Sequence, residues 1–231
     1  LFINICFFTK SLLAKELILE VLTEKAYPIQ YQENGKIVGS ATALVEKVLK
    51  EANIKYQIKM QPWARIYKTA LLKPNVLIYS IARTHEREKL FSWLGSIQQI
   101  NYYLYGFADT KLKPTDSLET VNNFRLALGR ESAIHHYLSN NKLTNFHLVN
   151  RNEQGIKMLL SKRVDLATGG DIYFYKSCKK QKLDCSQIKP LFPLKDLQVE
   201  LYLATNKKTD KGLIKRIQAA FKKIKNTSNN Q

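Results

Sequence analysis

Short apolar runs alternate with runs of helical period along this chain, and the alternation occurs twice. No other feature limits the fold as strongly. In the first series, residues 16–23 carry Leu17, Leu19 and Val21 on one face and Ile18 and Leu22 on the other, the pattern of a strand covered on both sides. Tyr27-Pro28 breaks that run, because the residue before a proline is pushed to extended geometry, and Asn34-Gly35 predicts a tight turn. Leu44, Val45, Val48 and Leu49 make residues 40–52 an amphipathic helix. Residues 56–60 alternate as a strand, Pro62 ends them, 63–72 read as a helix and 76–81 as a buried strand. Strand, helix, strand, helix, strand implies right-handed crossovers and a parallel sheet. Ligands in such sheets bind at the carboxyl ends of the strands. Tyr27, Trp63 and the Arg83–Arg87 turn all follow strand ends, so they are expected to converge on one crevice.

The second series begins after an extended aromatic run at 100–105. It reads as a strand at 124–128, a helix at 131–138, a strand at 146–149, a helix capped by Asn152 and running through Ser161, and a strand at 164–167. Gly169-Gly170-Asp171 then leads into a helix holding Tyr173 and Tyr175. A last extended run covers 197–205, and Asp210 caps a helix whose apolar positions include Leu213, Ile214, Ile217 and Phe221. The reading is therefore of two α/β lobes joined by two extended segments, which make a hinge with a cleft between. Lobe 1 takes residues 15–103 and 200–225, and lobe 2 takes 104–199. The polar tail 226–231 is expected to be disordered.

Within this frame the turn Ser80-Ile81-Ala82-Arg83-Thr84-His85-Glu86-Arg87-Glu88 stands out. Thr84 suits the N-cap of a short helix starting at His85, and Glu86 suits its first turn. Arg87 does not, since a cation there opposes the helix dipole and Arg83 lies four residues before it. Two explanations are open: pairing with Glu86 or Glu88 on a solvated turn, or a bound anion.

The chain starts with Leu1, without a methionine, and its opening, an uncharged apolar stretch of about nine residues followed by Lys10 and ending near Ala14, reads as the remnant of a secretory signal peptide, residues 1–14. It is too short to span a bilayer, which needs about 20 apolar residues. Cys6 lacks the small residues of a lipoprotein cleavage site before it. An exported chain would keep Cys178 and Cys185, a pair suited to a disulfide. On one unbroken helix their Cα atoms would stand about 10.5 Å apart, beyond disulfide reach. The bond therefore requires the helix to end between them, near Lys182-Leu183-Asp184. The net charge of +18 over 231 residues invites a nucleic-acid reading. The lysines are scattered, however, and no zinc-finger, RNP-like or basic-helix pattern accompanies them, so no nucleic-acid partner is expected.

Taken in order, several motifs resemble the bacterial extracellular solute-binding proteins of family 3, the polar amino-acid type. They are Thr23-Glu24 with Tyr27-Pro28, Gly35-Lys36-Ile37-Val38-Gly39, Pro62-Trp63-Ala64-Arg65, Arg83-Thr84-His85-Glu86-Arg87-Glu88 with Phe91-Ser92-Trp93, and Arg163-Val164-Asp165-Leu166-Ala167. The resemblance covers nearly all of the chain after Lys15. It implies a type II periplasmic binding protein fold that closes on a small solute, a periplasmic location, a monomeric protein and a membrane ABC-type permease as partner. It also implies that Arg87, in a Thr84-x-x-Arg87 element, grips a ligand carboxylate through a bidentate pair. On the same resemblance Ser80 contacts ligand, Tyr27 stacks on it, and Ser132 stands at a helix N-terminus that favours an anion. Asp171 would meet an amino group, while Trp63, Arg65 and Arg83 belong to the Pro-Trp-x-Arg and Arg-Thr-x-x-Arg pattern. Glu131 replaces a usual glycine. The plainer alternatives are core aromatics for Tyr27 and Trp63, a surface position for Arg65 and a helix cap for Asp171.

No catalytic residue, cofactor or metal site is expected. There is no HExxH or paired-cysteine zinc spacing, no phosphate loop and no nucleophile elbow. His135 and His136, being adjacent, are expected to face different sides of a helix rather than share one metal. The rival readings are a periplasmic enzyme of the same fold acting on a small carboxylic acid, dehydratase-like, with Glu131 or Asp171 as general acid, and an orphan sensor presenting its closed form to a membrane partner.

Overall fold

The computed structural model describes residues 18–197 and 199–228. Residues 1–17, which include Cys6 and the stretch expected to be a leader remnant, lie outside them. The first sheet holds β1 (Leu19–Thr23), β4 (Tyr56–Met60), β5 (Val76–Ala82), β6 (Phe91–Ile100) and β12 (Val199–Asn206), in the order β4-β1-β5-β12-β6. The first three are parallel, with Leu19 opposite Tyr56 and Val21 opposite both Ile58 and Leu77. β12 then runs antiparallel between β5 and β6. The period-2 pattern divides the core as expected. Leu19 and Val21 face α1 (Ser40–Glu51) and α7 (Lys211–Ser228), while Leu22 and Ile78 face α2 (Trp63–Leu72). Ile18, expected in the buried strand, lies just before it and is 62% exposed.

The small hairpin of β2 (Tyr31–Glu33) and β3 (Lys36–Val38) turns at Asn34 and Gly35, both at positive φ, as a two-residue turn requires. At Gly39, φ is 121° and a side chain would collide with the Ile29 carbonyl. Glycine there lets the chain enter α1 against the loop after β1.

The second sheet has the order β11-β7-β10-β8-β9. Its strands are β7 (Tyr102–Phe107), β8 (Leu126–Gly129), β9 (Phe146–Val149), β10 (Leu166–Gly170) and β11 (Ile188–Pro193). Leu126 and Leu128 face α4 (Ala133–Asn140), while Ala127 faces α5 (Asn152–Leu160) and α6 (Phe174–Lys180). The chain crosses between sheets at Asn101 and again after Pro193. The protein is thus a two-lobed α/β structure of the type II periplasmic binding protein fold with a two-segment hinge.

Three sequence readings need correction. The extended run at 100–105 is two strands, β6 and β7, meeting at Asn101. Arg151, not Asn152, takes the N-cap position of α5, and the Gln154 side chain accepts from the Arg151 N–H at 3.1 Å. Residues 226–228 are helical rather than disordered, with the Thr227 hydroxyl donating to the Lys223 carbonyl at 2.7 Å; residues 229–231 lie outside the described part. Thr84 takes the N-cap position of α3 (His85–Glu88) without a side-chain capping bond. The Glu86 carboxyl is held below its usual range first by its own backbone N–H and then by the Thr84 hydroxyl. The Asp210 cap is present, accepting from the Leu213 N–H at 2.7 Å. No helix among the described residues is long and apolar enough to cross a membrane.

Candidate functional site

The carboxyl ends of β1 and β4 in lobe 1 face those of β8 and β9 in lobe 2, and the loops leaving them line the cleft. Its largest cavity, about 220 Å³, is edged by Glu24, Lys25, Gln61 and Pro62 on one side and by Arg151 and Glu153 on the other. A small recess beside it brings Glu24 and Trp63 up to Ser132 and Asn152. A second recess is lined by Tyr27, Thr168, Tyr173 and Ser177.

Arg87 is 1% exposed. The one-turn helix α3 turns its guanidinium inward, over the rings of Tyr67 at 4.8 Å and Trp63 at 5.3 Å. One amino group, Nη2, donates across the cleft to the Glu131 carbonyl at 2.9 Å, and Nη1 reaches the Ala82 carbonyl at 3.4 Å. Nε has no partner, and no carboxylate of the described residues forms an ion pair with it. Burial lowers its pKa, opposed by Tyr67, Tyr102 and Glu86. A buried cation with an unsatisfied donor is costly unless something negative can reach it.

The facing acceptor is built on Glu131. This residue sits at φ 58°, in the left-handed region, which costs a non-glycine residue about 1–2 kcal/mol. A glycine would hold the same turn without that cost. The turn points the Glu131 carbonyl at lobe 1, where it accepts from both Arg87 and the Trp63 indole N–H, the latter at 2.7 Å. One residue on, Ser132 caps α4, accepting from the His135 N–H at 3.0 Å.

The other expected site residues disperse. Arg83 forms a bidentate pair with Glu88, at 2.8 and 2.7 Å, on the rings of Trp93 and Tyr202. Both side chains are more than a third exposed, so the internal-pair explanation holds for Arg83. Arg65 projects from the exposed side of α2, whose buried stripe is Trp63, Ile66, Tyr67 and Ala70. Asp171 turns to the hinge, accepting from the Asn101 side chain at 2.7 Å and from the Ile172 N–H at 2.8 Å. It is exposed there and lines none of the three cleft cavities.

Ser80 is a bulged residue in β5, at φ 60°, where the pairing with β12 shifts; its hydroxyl donates to the Gln30 side chain at 2.9 Å. Tyr27 lies edge-on to Tyr31, with Lys180 over its ring at 5.3 Å, and borders the second recess. Cys178 and Cys185 are bonded, with Cα atoms 6.2 Å apart.

The sequence reading passed over Glu24, which follows β1 directly and lines both the main cavity and the recess by Trp63. Burial and the nearby Glu153 carboxylate push its pKa up to about 7, against the pull of Arg87. Glu153 itself pairs across the lobes with Lys25 at 2.7 Å. The signal was position: Glu24 is the first ionisable residue beyond an apolar parallel strand, where such sheets place ligands. The cleft thus sets Glu24 and Glu153 at its main cavity, with the buried Arg87 cation behind them, lining none of the three cavities but near enough to act on Glu24.

No curated protein sequence matches this chain. Residues 19–230 match the bacterial extracellular solute-binding proteins, family 3. Among solved structures, a histidine kinase sensor domain with similarity to periplasmic binding proteins superposes with a TM-score of 0.81 at 14% identity, covering 92% of each chain. The arginine-, lysine-, histidine-binding protein ArtJ from Geobacillus stearothermophilus gives 0.77 at 17% identity, over 92% of this chain and 91% of its own. Holo ArgBP from T. maritima gives 0.74 at 16% identity, over 90% of each.

Proposed function

Because the chain belongs to the bacterial extracellular solute-binding proteins of family 3, we propose that it closes between its lobes on a small solute bearing a carboxylate, an amino acid or similar, in the periplasm. It then delivers that solute to an ABC-type permease. The observation that carries this reading is Arg87: buried, flanked by two aromatic rings, with one donor unsatisfied and no ion pair to a carboxylate among the described residues. A ligand carboxylate would supply the charge-assisted partner that the site lacks. Glu24 and Glu153 offer acceptors for an amino group on the same solute. A second reading, in which the closed form is presented to a membrane sensor, draws its support from the sensor-domain likeness.

Thermal-shift screening against amino acids and small organic acids tests the proposal, since a ligand of the native state raises the melting temperature. A carboxylate-bearing compound is expected to give the shift. A response only to neutral sugars or inorganic cations sinks the idea. Arg87→Ala is expected to weaken that compound by roughly 30-fold or more, the loss of a charged hydrogen-bonded pair. Arg83→Ala, which removes a surface pair, should change affinity less than about threefold. The opposite order would move the grip to Arg83.

A further inference from the structure

Glu131, His135 and His136 stand together on lobe 2 beside the cleft. One ligating atom of each lies within 4.8 Å of the other two. Adjacency on a helix was expected to part the two histidines, but both belong to the first turn of α4, and the left-handed turn at Glu131 folds its carboxylate back over them. Oε2 of Glu131 is 3.0 Å from His136 Nε2, and the Glu131 N–H meets His135 Nδ1 at 3.2 Å. The imidazole centroids are 5.7 Å apart. Phe146 lies edge-on to His135, and Tyr67 of the facing lobe lies 6.1 Å from His136. All three side chains are half-buried, so an ion has a path in.

We propose that Glu131, His135 and His136 bind one divalent transition-metal ion of the Zn²⁺ type. Two imidazoles and a carboxylate are a nitrogen-rich donor set that suits Zn²⁺ and leaves a fourth position for water or another ligand. Mg²⁺ and Ca²⁺ prefer oxygen throughout. Zn²⁺ bonds of about 2.0–2.2 Å draw the three donors closer than 4.8 Å, a change that side-chain rotation supplies. The site is separate from the grip on a solute carboxylate but adjoins it, because the Glu131 carbonyl is the acceptor for Trp63 and Arg87. An ion fixing the Glu131 side chain steadies that cross-cleft acceptor.

The test is calorimetric titration of chelator-treated full chain with ZnCl₂, beside MgCl₂ and CaCl₂, with no solute present. One equivalent of Zn²⁺ is expected to bind, and His135→Ala, His136→Ala and Glu131→Gln should each weaken it at least about tenfold, or 1.4 kcal/mol. His85→Ala and His147→Ala, which change the other two histidines, should leave it unaltered. Co²⁺ gives a second readout on the unaltered chain: intense visible bands of a four-coordinate site, absent in His136→Ala. The proposal is overturned if the wild type takes up no stoichiometric Zn²⁺, or if binding survives both His135→Ala and His136→Ala. It is also overturned if Co²⁺ keeps its aqueous spectrum.

Discussion

Arg83 and Arg87 lie four residues apart, and only their surroundings separate them. Arg83 finds Glu88 in the same turn and stays at the surface, whereas Arg87 turns under Tyr67 and Trp63 and reaches across to the other lobe. The sequence placed two cations at one short helix but did not say which was satisfied locally. Glu24 shows the same dependence on surroundings through its proton. Its pKa in the folded state, about 7, stands above the ordinary carboxylate value of 4.5, so between those values the folded protein holds a proton that the unfolded chain releases. The relative stability is present below pH 4.5 and is lost as the pH rises to about 7. Glu24→Gln should remove that loss, gaining at most about 3 kcal/mol relative to wild type at pH 8 and little at pH 4.5. Denaturant unfolding of both proteins at the two pH values measures it. An equal difference at both would mean that Glu24 ionises normally.

Elements with strong periodicity were legible. The helix α2 follows from Trp63, Ile66, Tyr67 and Ala70 on one face, and the Asn34-Gly35 turn from its φ requirements. The long strand β6 was not read as one, because it is an outer strand. Its polar Ser92, Ser96, Gln98 and Gln99 break the apolar signal, and Gly95 is there because the Phe221 ring of α7 lies where a side chain would be. The segment after α6 was legible as a requirement. For Cys178 to reach Cys185 the helix had to stop, and it does: Lys182 takes φ 55°, and the Leu183 N–H returns to the Cys178 carbonyl at 3.0 Å. Closing so short a loop restricts the unfolded chain by about 2–3 kcal/mol. Wild-type protein in reductant should therefore melt lower, near Cys178→Ala/Cys185→Ala, and that double variant should ignore reductant. An unchanged melting curve for reduced wild type contradicts this.

At the scale of the molecule, a set of side-chain contacts joins the lobes. Trp63 and Arg87 converge on the Glu131 carbonyl, Lys25 pairs with Glu153, and Lys180 pairs with Glu33 at 3.0 Å. At the hinge, Asp171 holds Asn101 through backbone and side chain. The exposed ion pairs contribute little individually and are screened by salt, so the Glu131 carbonyl carries much of the polar contact. Trp63→Phe keeps the ring and deletes the donor. It should shift the ligand-free protein toward an open form by about 1 kcal/mol, roughly fivefold in population. Small-angle scattering should show the larger radius, reversed by a bound solute; an unchanged radius would mean that the indole donor does not hold the lobes together.

What the sequence determined by itself is what short-range physics determines. The periods of 2 and 3.6 set the strands and helices, their order implied parallel β-α-β units and two lobes, and proline, glycine and asparagine marked the breaks. The tertiary structure alone decided which polar groups lose water. That sorted Arg87 from Arg83, turned Asp171 to the hinge and left Arg65 outside. It also brought Glu24 into the cleft and His135 and His136 around Glu131. Desolvation and cross-lobe distance depend on residues far apart in the chain, so no local pattern records them.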